Sequence, residues 1–437
     1  MSDSTVEMLI PPKAKPEMPS QSENEDSTDS TVEKAKRGRH SEGESESESK
    51  VNNDRLSDLP DCVLLHILSF VKARNAVQTC ILSTRWKDLW KSLPSLILLS
   101  PDFSTLKIFT KFVSKLLELR DGSLPLHSFD FERHGSIEYI VHRRVVDYAL
   151  SHNVQRLAMT VEYDYCHVAR IFSCQSLTSL KLSVHPKQYN TFSTSFPISS
   201  CLNLPALTSL HLVGFTFHGS NNGQVEPFSA FKKLHSLIIR NCTVKNAQTF
   251  CISSTTLVDV TMRTPFGDFH KIELSAPSLQ RFDFTGSSPY KRLCGSSLSS
   301  VKELSIDAYM GSYSPEPPLV LLSWLEELTN IKSLTVSTNT LQVLFLIPDL
   351  VNRKLPFLSN LKSLKVKVQR LSYILRMTMI AAKIQKATTA SRREAARLRK
   401  EAKYLGKTIY ERAPIPAGIV DFLLQNSPTA KVETKMC

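Results

Sequence analysis

The chain has 437 residues, 41% of them hydrophobic, which is enough for two or three folded domains or for one repeat array with a sizeable core. Its formal net charge of +13 permits an acidic partner, and no apolar run approaches the roughly 18 residues of a membrane helix, so no membrane partner is expected. Nine scattered cysteines without a C-x-x-C pair indicate reduced thiols in the nucleus or cytoplasm rather than a disulfide framework.

Residues 1–50 are poor in aromatic residues and rich in Ser, Glu and Asp. This composition cannot bury enough apolar surface to offset the ordering entropy, so it predicts a disordered tail. The tail also lacks the apolar core of a signal peptide. Its basic cluster at 34–39 has two open interpretations, a nuclear import signal or a charge-balanced part of the tail.

Residues 51–98 contain a segment that predicts three short helices. Leu59-Pro60-Asp61 opens the first helix, and Asn75 and Ser83 are the expected N-caps of the second and third. The first helix is apolar almost all round, apart from a narrow polar stripe of Cys62, His66 and Ser69. Three short helices carry more apolar surface here than they can bury among themselves, which indicates a partner-binding site.

This segment resembles an F-box, the adaptor-binding module of cullin-RING ubiquitin ligases. The matching residues are the Leu59-Pro60 opening, the run at 67–70 and the block at 82–90. The resemblance implies that the anchors for a Skp-type adaptor are Leu59, Pro60, Leu64, Ile67, Leu68, Val77, Leu82, Trp86 and Trp90. The alternative is a small three-helix domain whose tryptophans serve only as core.

Residues 99–122 are expected to form a linking helix between Pro101 and Arg120, because apolar residues recur there at helical spacing. The array at 123–370 then repeats the pattern L-x-x-L-x-L, and its ten copies start 22 to 30 residues apart. The copies are Leu126-Phe129-Phe131, Val154-Leu157-Met159, Leu177-Leu180-Leu182, Leu207-Leu210-Leu212, Leu234-Leu237-Ile239, Leu257-Val260-Met262, Leu279-Phe282-Phe284, Val301-Leu304-Ile306, Ile331-Leu334-Val336 and Leu361-Leu364-Val366.

The spacing within each copy predicts a short strand, because two apolar residues separated by one point to the same face. No single copy can bury that face alone, so the copies must stack into a curved α/β solenoid of irregular leucine-rich repeats. With the F-box in front, residues 54–370 resemble the plant family of F-box proteins with leucine-rich repeats.

Residues 371–410 depart from the repeat pattern and carry ten Lys and Arg between 376 and 407. Ser391, Glu394 and Gly406 predict a helix over 392–405. Its basic face could contact an acidic partner, but a solvated helix over the end of the array is favoured. No aromatic residue interleaves the charges between Arg376 and Lys403, so a nucleic-acid partner is not expected.

Residues 411–437 predict a short amphipathic helix at 417–425 that caps the last repeat. The closing segment resembles that of the same plant family. The basic insertion before it does not fit the FBD domain common in those proteins.

No nucleotide-binding, metalloprotease or hydrolase motif is present in the sequence. Cys166, His167 and Cys174 lack a fourth zinc ligand at suitable spacing. We therefore expect no catalytic residue, no metal and no cofactor.

These features predict a non-catalytic substrate-recognition subunit of an SCF-type ligase, located in the nucleus, the cytoplasm or both. A Skp-type adaptor would connect it to the cullin and RING subunits, and an unknown target protein would bind the concave strand face and the loops near 185–203, 216–230 and 309–327. One alternative is a non-ligase scaffold or nuclear regulatory protein that binds an acidic partner through 376–407. Another, by analogy alone, is a receptor for a small hormone.

Overall fold

A computed structural model of the chain describes residues 56, 58–135, 139–162, 168–185, 194–195, 202–220, 222–264, 266–267, 269–287, 292–295, 298–309, 316–353, 358–371, 375–381, 384, 393, 396–397 and 412–436. The predicted tail at 1–50 and almost all of the predicted basic helix lie outside these residues. Both remain predictions.

The described α-helices are Asp61–Leu68 (α1), Ala73–Gln78 (α2), Leu106–Leu119 (α3), Tyr139–Ser151 (α4), Val168–Ile171 (α5), Glu316–Glu327 (α6), Thr338–Leu344 (α7) and Ile419–Leu424 (α8). Short 3-10 turns occupy Thr79–Ile81, Thr84–Trp86, Leu89–Ser92, Ser100–Asp102, Leu298–Ser300 and Leu350–Asn352. Among the residues that the structure describes, no helix is both long and apolar enough to cross a membrane.

The strands are Ser95–Leu99 (β1), Ser128–Arg133 (β2), Arg156–Glu162 (β3), Ser179–His185 (β4), Thr194–Ser195 (β5), Ser209–Val213 (β6), Phe215–His218 (β7), Gln224–Val225 (β8), Ser236–Arg240 (β9), Thr243–Lys245 (β10), Thr249–Ser253 (β11), Asp259–Arg263 (β12), Phe266–Gly267 (β13), Lys271–Ser275 (β14), Arg281–Ser287 (β15), Arg292–Cys294 (β16), Glu303–Tyr309 (β17), Ser333–Ser337 (β18), Ser363–Val368 (β19) and Lys431–Met436 (β20).

Twelve of these strands form one parallel sheet, in the order β1-β2-β3-β4-β6-β9-β12-β15-β17-β18-β19-β20. The ten predicted copies supply the ten inner strands of this sheet, and every apolar residue of the copies is buried. Equivalent residues pair across neighbouring strands, as Leu180 does with Leu210 and Leu237 with Val260. The strand prediction is therefore confirmed in position. The end strands β1 and β20 were not predicted.

Two smaller parallel sheets are formed by strands that lie, in sequence, between the strands of the large sheet. Their strand orders are β13-β10-β7-β5 and β16-β14-β11-β8. Their phenylalanines meet in the core, where the rings of Phe217 and Phe250 are 5.5 Å apart and those of Phe250 and Phe269 are 5.8 Å apart. The prediction that 216–230 and 309–327 are inserted loops is thus wrong in large part. Strands β7 and β8 occupy the first range and helix α6 most of the second, because their apolar residues fill this core.

The predicted starts of the second and third short helices need correction. Helix α2 starts at Ala73, with Lys72 in the N-cap position and Asn75 inside the helix. Its start is set by burial of Ala73, Ala76 and Val77 on one face rather than by a side-chain cap. Ser83 precedes a 3-10 turn instead of an α-helix and makes no capping hydrogen bond.

The linking helix starts later than Pro101, at Leu106, because Thr105 caps it by accepting a 3.2 Å hydrogen bond from the backbone N–H of Ile108. Pro101 belongs to a separate 3-10 turn. The predicted apolar face of α3 is buried at Phe109, Phe112, Val113, Leu116 and Leu117.

Arg120 joins the front helices to the sheet. It is only 4% exposed, and its guanidinium donates to the carbonyls of Leu93, Asp121, Leu124 and Pro125 and to the Tyr148 hydroxyl. A buried cation needs such partners, because leaving it unpaired costs roughly several kcal/mol of folding free energy. A second tie is the 2.6 Å ion pair between Lys72 and Asp102.

The C-terminal segment caps the other end of the sheet. The predicted helix at 417–425 is confirmed as α8, whose Ile419, Phe422 and Leu423 are buried. Strand β20 then adds to the sheet beside β19, which the sequence did not suggest because all six of its residues are exposed.

Candidate adaptor-binding surface

Helix α1 divides its apolar residues between a core and an exposed side. Leu64 and Leu68 point inward and are buried. Ile67 and Phe70 remain 42% and 73% exposed, and Val63 lies on the same side one turn earlier. Val63 and Ile67 are four residues apart and share a helix face. Phe70 follows in the turn after the helix, where its backbone N–H donates to the Ile67 carbonyl. We call these three exposed side chains the apolar strip. The strip is open to solvent in the described chain.

The segment after α2 also divides its apolar residues between a buried group and an exposed group. Val77, Trp86 and Trp90 are buried, and the Trp90 indole Nε1 donates a 3.1 Å hydrogen bond to the Lys87 carbonyl. Ile81 and Leu82, at the end of a 3-10 turn, are 74% and 62% exposed. Large aliphatic side chains this exposed on adjacent positions indicate a contact surface rather than a core.

Arg85 brings this segment to the start of α1. Its Nη2 lies 2.7 Å from Asp61 Oδ1 and also donates to the Leu59 carbonyl. Pro60 is the N-cap residue of α1 and is exposed, while Leu59 is partly buried against the core. The opening residues at 59–61 and the exposed pair at 81–82 therefore belong to one compact module.

The nine predicted anchors separate into two groups. Pro60, Ile67 and Leu82 are exposed and Leu59 is half-buried, and their contact with an adaptor stays a prediction. The buried group is Leu64, Leu68, Val77, Trp86 and Trp90. In the free chain these five hold the module together, and their role in adaptor binding remains a prediction.

The sequence-based list omitted the two most exposed apolar side chains of residues 58–98, Phe70 and Ile81. In the sequence, residues 63–71 are apolar almost throughout. This pattern indicates a partner-binding segment, but it does not show which side of the segment packs against the core. We define the apolar surface as Val63, Ile67, Phe70, Ile81 and Leu82.

Of the three residues considered for zinc, Cys174 is described, and Cys166 and His167 lie outside the described residues. Within the part of the chain that the structure describes, no group of three His, Cys, Asp or Glu residues is placed to hold a metal ion. Burial raises the pKa of the Cys242 thiol to about 11, so this buried cysteine is not an activated nucleophile.

Comparison with known proteins identifies the family that this segment resembles. Residues 56–98 match the family model of the F-box domain. An F-box/LRR-repeat protein of Arabidopsis thaliana is 26% identical over 335 residues, which cover 72% of this chain and 67% of the relative. A putative F-box/FBD/LRR-repeat protein of the same plant is 26% identical over 322 residues, covering 68% of this chain and 69% of that protein.

A putative FBD-associated F-box protein of Arabidopsis thaliana is 32% identical over 142 residues, and this match covers 31% of the chain but only 30% of the relative. The chain thus spans less than a third of one of these relatives and about two thirds of the other two.

The chain contains an F-box domain, and its resemblance to plant F-box proteins with leucine-rich repeats is confirmed. F-box domains generally bind Skp-type adaptors, and F-box proteins generally act as substrate adaptors of SCF ubiquitin ligases. Proteins of the F-box/LRR family are typically non-catalytic.

Proposed function

We propose that this chain is the substrate-recognition subunit of an SCF-type cullin-RING ubiquitin ligase, active in the nucleus, the cytoplasm or both. The apolar surface binds a Skp-type adaptor, which connects the chain to the cullin and RING subunits. The parallel strands form a leucine-rich-repeat solenoid that holds a target protein. The chain itself performs no chemistry, and it accelerates ubiquitin transfer by holding the lysines of the target near the charged conjugating enzyme.

The observation that carries the proposal is the apolar surface. Fully burying a Leu, Ile or Phe side chain contributes about 1.5–3 kcal/mol, so covering five such side chains supplies substantial binding free energy. Association itself costs roughly several kcal/mol of free energy. Burial of the apolar surface can offset this cost when the surrounding contacts are complementary. The surface lies within the 56–98 match to the F-box domain.

The attachment of the F-box to the sheet supports the same proposal. Arg120 fixes the end of the F-box through the Leu93 carbonyl at 2.9 Å, and the Lys72–Asp102 ion pair fixes α2 to the turn after β1. Proximity is effective only when the two bound partners are held in a defined relative orientation. These contacts provide a rigid connection between an adaptor on the F-box and a target on the sheet.

Capture by an immobilised Skp-type adaptor tests the proposal, with the full chain as prey. Phe70→Asp and Leu82→Asp each place a charge on the apolar surface and should reduce capture at least tenfold, without lowering the unfolding temperature. The matched control is Leu319→Asp on α6, a position that is 53% exposed and remote from the F-box in sequence. It should be captured like the wild type. Equal capture of the wild type, both apolar-surface variants and the control would refute the proposal.

A further inference from the structure

Four cationic or titratable side chains lie on the outer face of the large sheet, in two adjacent pairs that are offset by two residues along the strands. Lys181, His211, Arg240 and Arg263 come from four consecutive strands, β4, β6, β9 and β12. They occupy the positions that alternate with buried residues, so they face away from the core. We call these four residues the cationic patch.

The pairing register brings these residues together. Lys181 is directly opposite His211, and Arg240 is directly opposite Arg263. Neighbouring strands lie about 4.8 Å apart, which places the two guanidinium stems side by side. Like charges at directly opposite positions destabilise a sheet, so this arrangement has a cost in the free chain.

Three nitrogen atoms of the cationic patch have no hydrogen-bond partner in the part of the chain that the structure describes. Within the described residues, Arg240 Nε, Arg263 Nε and His211 Nε2 are buried without a hydrogen-bond partner. Elsewhere on the sheet, cations are paired across strands. Arg281 lies 2.5 Å from Asp259, and Lys365 lies 3.2 Å from Glu433.

The charges around His211 add independent support. Burial, and then the cations Arg240, Lys181 and Arg263, lower the pKa of His211 to about 4, so the ring is neutral near pH 7. On the next strand, burial raises the pKa of Asp283 although Arg263, Lys367 and Arg240 act in the opposite direction and Asp307 reinforces the rise. His211 therefore lies in a locally positive environment, while the Asp283 carboxyl interacts with Arg263 and Arg240 on the β15 side of the patch.

We propose that the cationic patch binds an anionic segment of the target protein, with paired oxygens that bridge Arg240 and Arg263. The oxygens come from Asp and Glu carboxylates or from a phosphoryl group, since both accept the planar, two-pronged donor set of arginine. Lys181 adds a third positive charge, and His211 donates a hydrogen bond from one edge of its neutral ring. This inference rests on the proposed function, because it specifies the chemistry of the target.

The test measures binding of three fluorescent peptides to the full chain, at low and at high salt. One peptide has a Gly-Ser frame with a central Asp-Glu-Asp, the second has two central phosphoserines, and the third is neutral. Binding of at least one anionic peptide, lost at high salt, and no binding of the neutral peptide are expected. The peptide that binds more tightly identifies the source of the oxygens.

Arg240→Gln/Arg263→Gln should weaken anionic binding about tenfold or more, because it removes both bridging donors. The control Lys365→Gln/Lys435→Gln changes the net charge equally on strands at the far end of the same sheet and should leave binding within twofold. Equal binding by both double variants would overturn the inference. So would saturation by inorganic phosphate with no binding of either anionic peptide.

Adaptor capture is recorded on the same samples. If the wild-type chain captures the adaptor normally but binds neither anionic peptide, the cationic patch alone is refuted. Normal peptide binding with no adaptor capture refutes the proposed ligase role and leaves the patch as an anion-binding surface.

Discussion

Arg85 and Asp61 form a 2.7 Å ion pair that closes the F-box, tying the turn after Ser83 to the first turn of α1. The same guanidinium donates to the Leu59 carbonyl. Both charged side chains are partly solvent-exposed, so the pair itself contributes at most about 1 kcal/mol. Its larger effect is to position the exposed Pro60 and Leu82 relative to each other.

The substitution Arg85→Met should therefore reduce adaptor affinity several-fold while lowering the free energy of unfolding by only about 1 kcal/mol. Titration calorimetry with the adaptor and thermal unfolding measure the two effects. The control is Lys115→Met, which removes a comparably exposed ion pair with Glu118 on α3. A loss of affinity as large in the control would refute the positioning role of Arg85.

Arg120 provides a second prediction. Replacing it by Met keeps an apolar stem but leaves the carbonyls of Leu93, Leu124 and Pro125 without their donor. The Leu93 acceptor is buried, and those of Leu124 and Pro125 are part-buried. A buried acceptor without a partner costs about 1–3 kcal/mol and a part-buried one costs less, so we expect a loss of about 2–3 kcal/mol in the free energy of unfolding. Urea unfolding of Arg120→Met beside Arg156→Met, an exposed position on β3, measures it. Similar midpoints would show that the buried arginine is dispensable.

The sequence predicted the large sheet well because its signal is periodic. Residues such as Leu180 and Leu182 are separated by one, point inward together, and recur at a repeat length that requires stacking. The end strand β20 carries no such signal, since its residues 431–436 are all exposed and it is held by pairing with β19. A strand that is held only by backbone pairing cannot be detected from the hydrophobic pattern of the sequence.

The candidate site was predicted only as a segment. The apolar run at 63–71 indicates a partner, but it does not say that Leu64 faces the core and Phe70 faces solvent. That choice depends on where Val77 and Trp90 pack, which is a tertiary property. The cationic patch is harder to predict from the sequence, because its residues are dispersed between 181 and 263. Only the strand register brings them together.

Gly214 makes the corner between β6 and β7 and permits a third prediction. Its φ is +78°, and a Cβ atom there would lie 2.0 Å from the Val184 carbonyl oxygen. Gly214→Ala should therefore lower the free energy of unfolding by about 2 kcal/mol or more, since backbone would have to move. Gly122→Ala, where the nearest atom is His152 Nε2 at 3.8 Å, should change stability by less than about 0.5 kcal/mol. Urea unfolding curves decide whether the two variants differ.

His211 predicts a dependence of stability on pH. Its pKa is lowered to about 4 in the folded chain, from an ordinary value of 6.5, by burial and by Arg240, Lys181 and Arg263. Between these two values the unfolded chain binds the proton and the folded chain does not, so stability falls as the pH is lowered from 6.5 toward 4. Because the ring is only half-buried, the slope should stay below the ~1.4 kcal/mol per pH unit of a single fully shifted proton.

Urea unfolding at pH 7, 6 and 5 measures this slope, and His211→Gln should reduce it. The buried carboxyls of Asp130 and Asp283 have raised pKa values and oppose the histidine, but they are present in both proteins and cancel in the comparison. An anion held between Arg240 and Arg263 would offset the positive charge and raise the histidine pKa toward its ordinary value. The difference between wild type and His211→Gln should therefore shrink when the tighter-binding anionic peptide is present. Identical slopes in the free proteins would mean that this histidine does not titrate as its surroundings require.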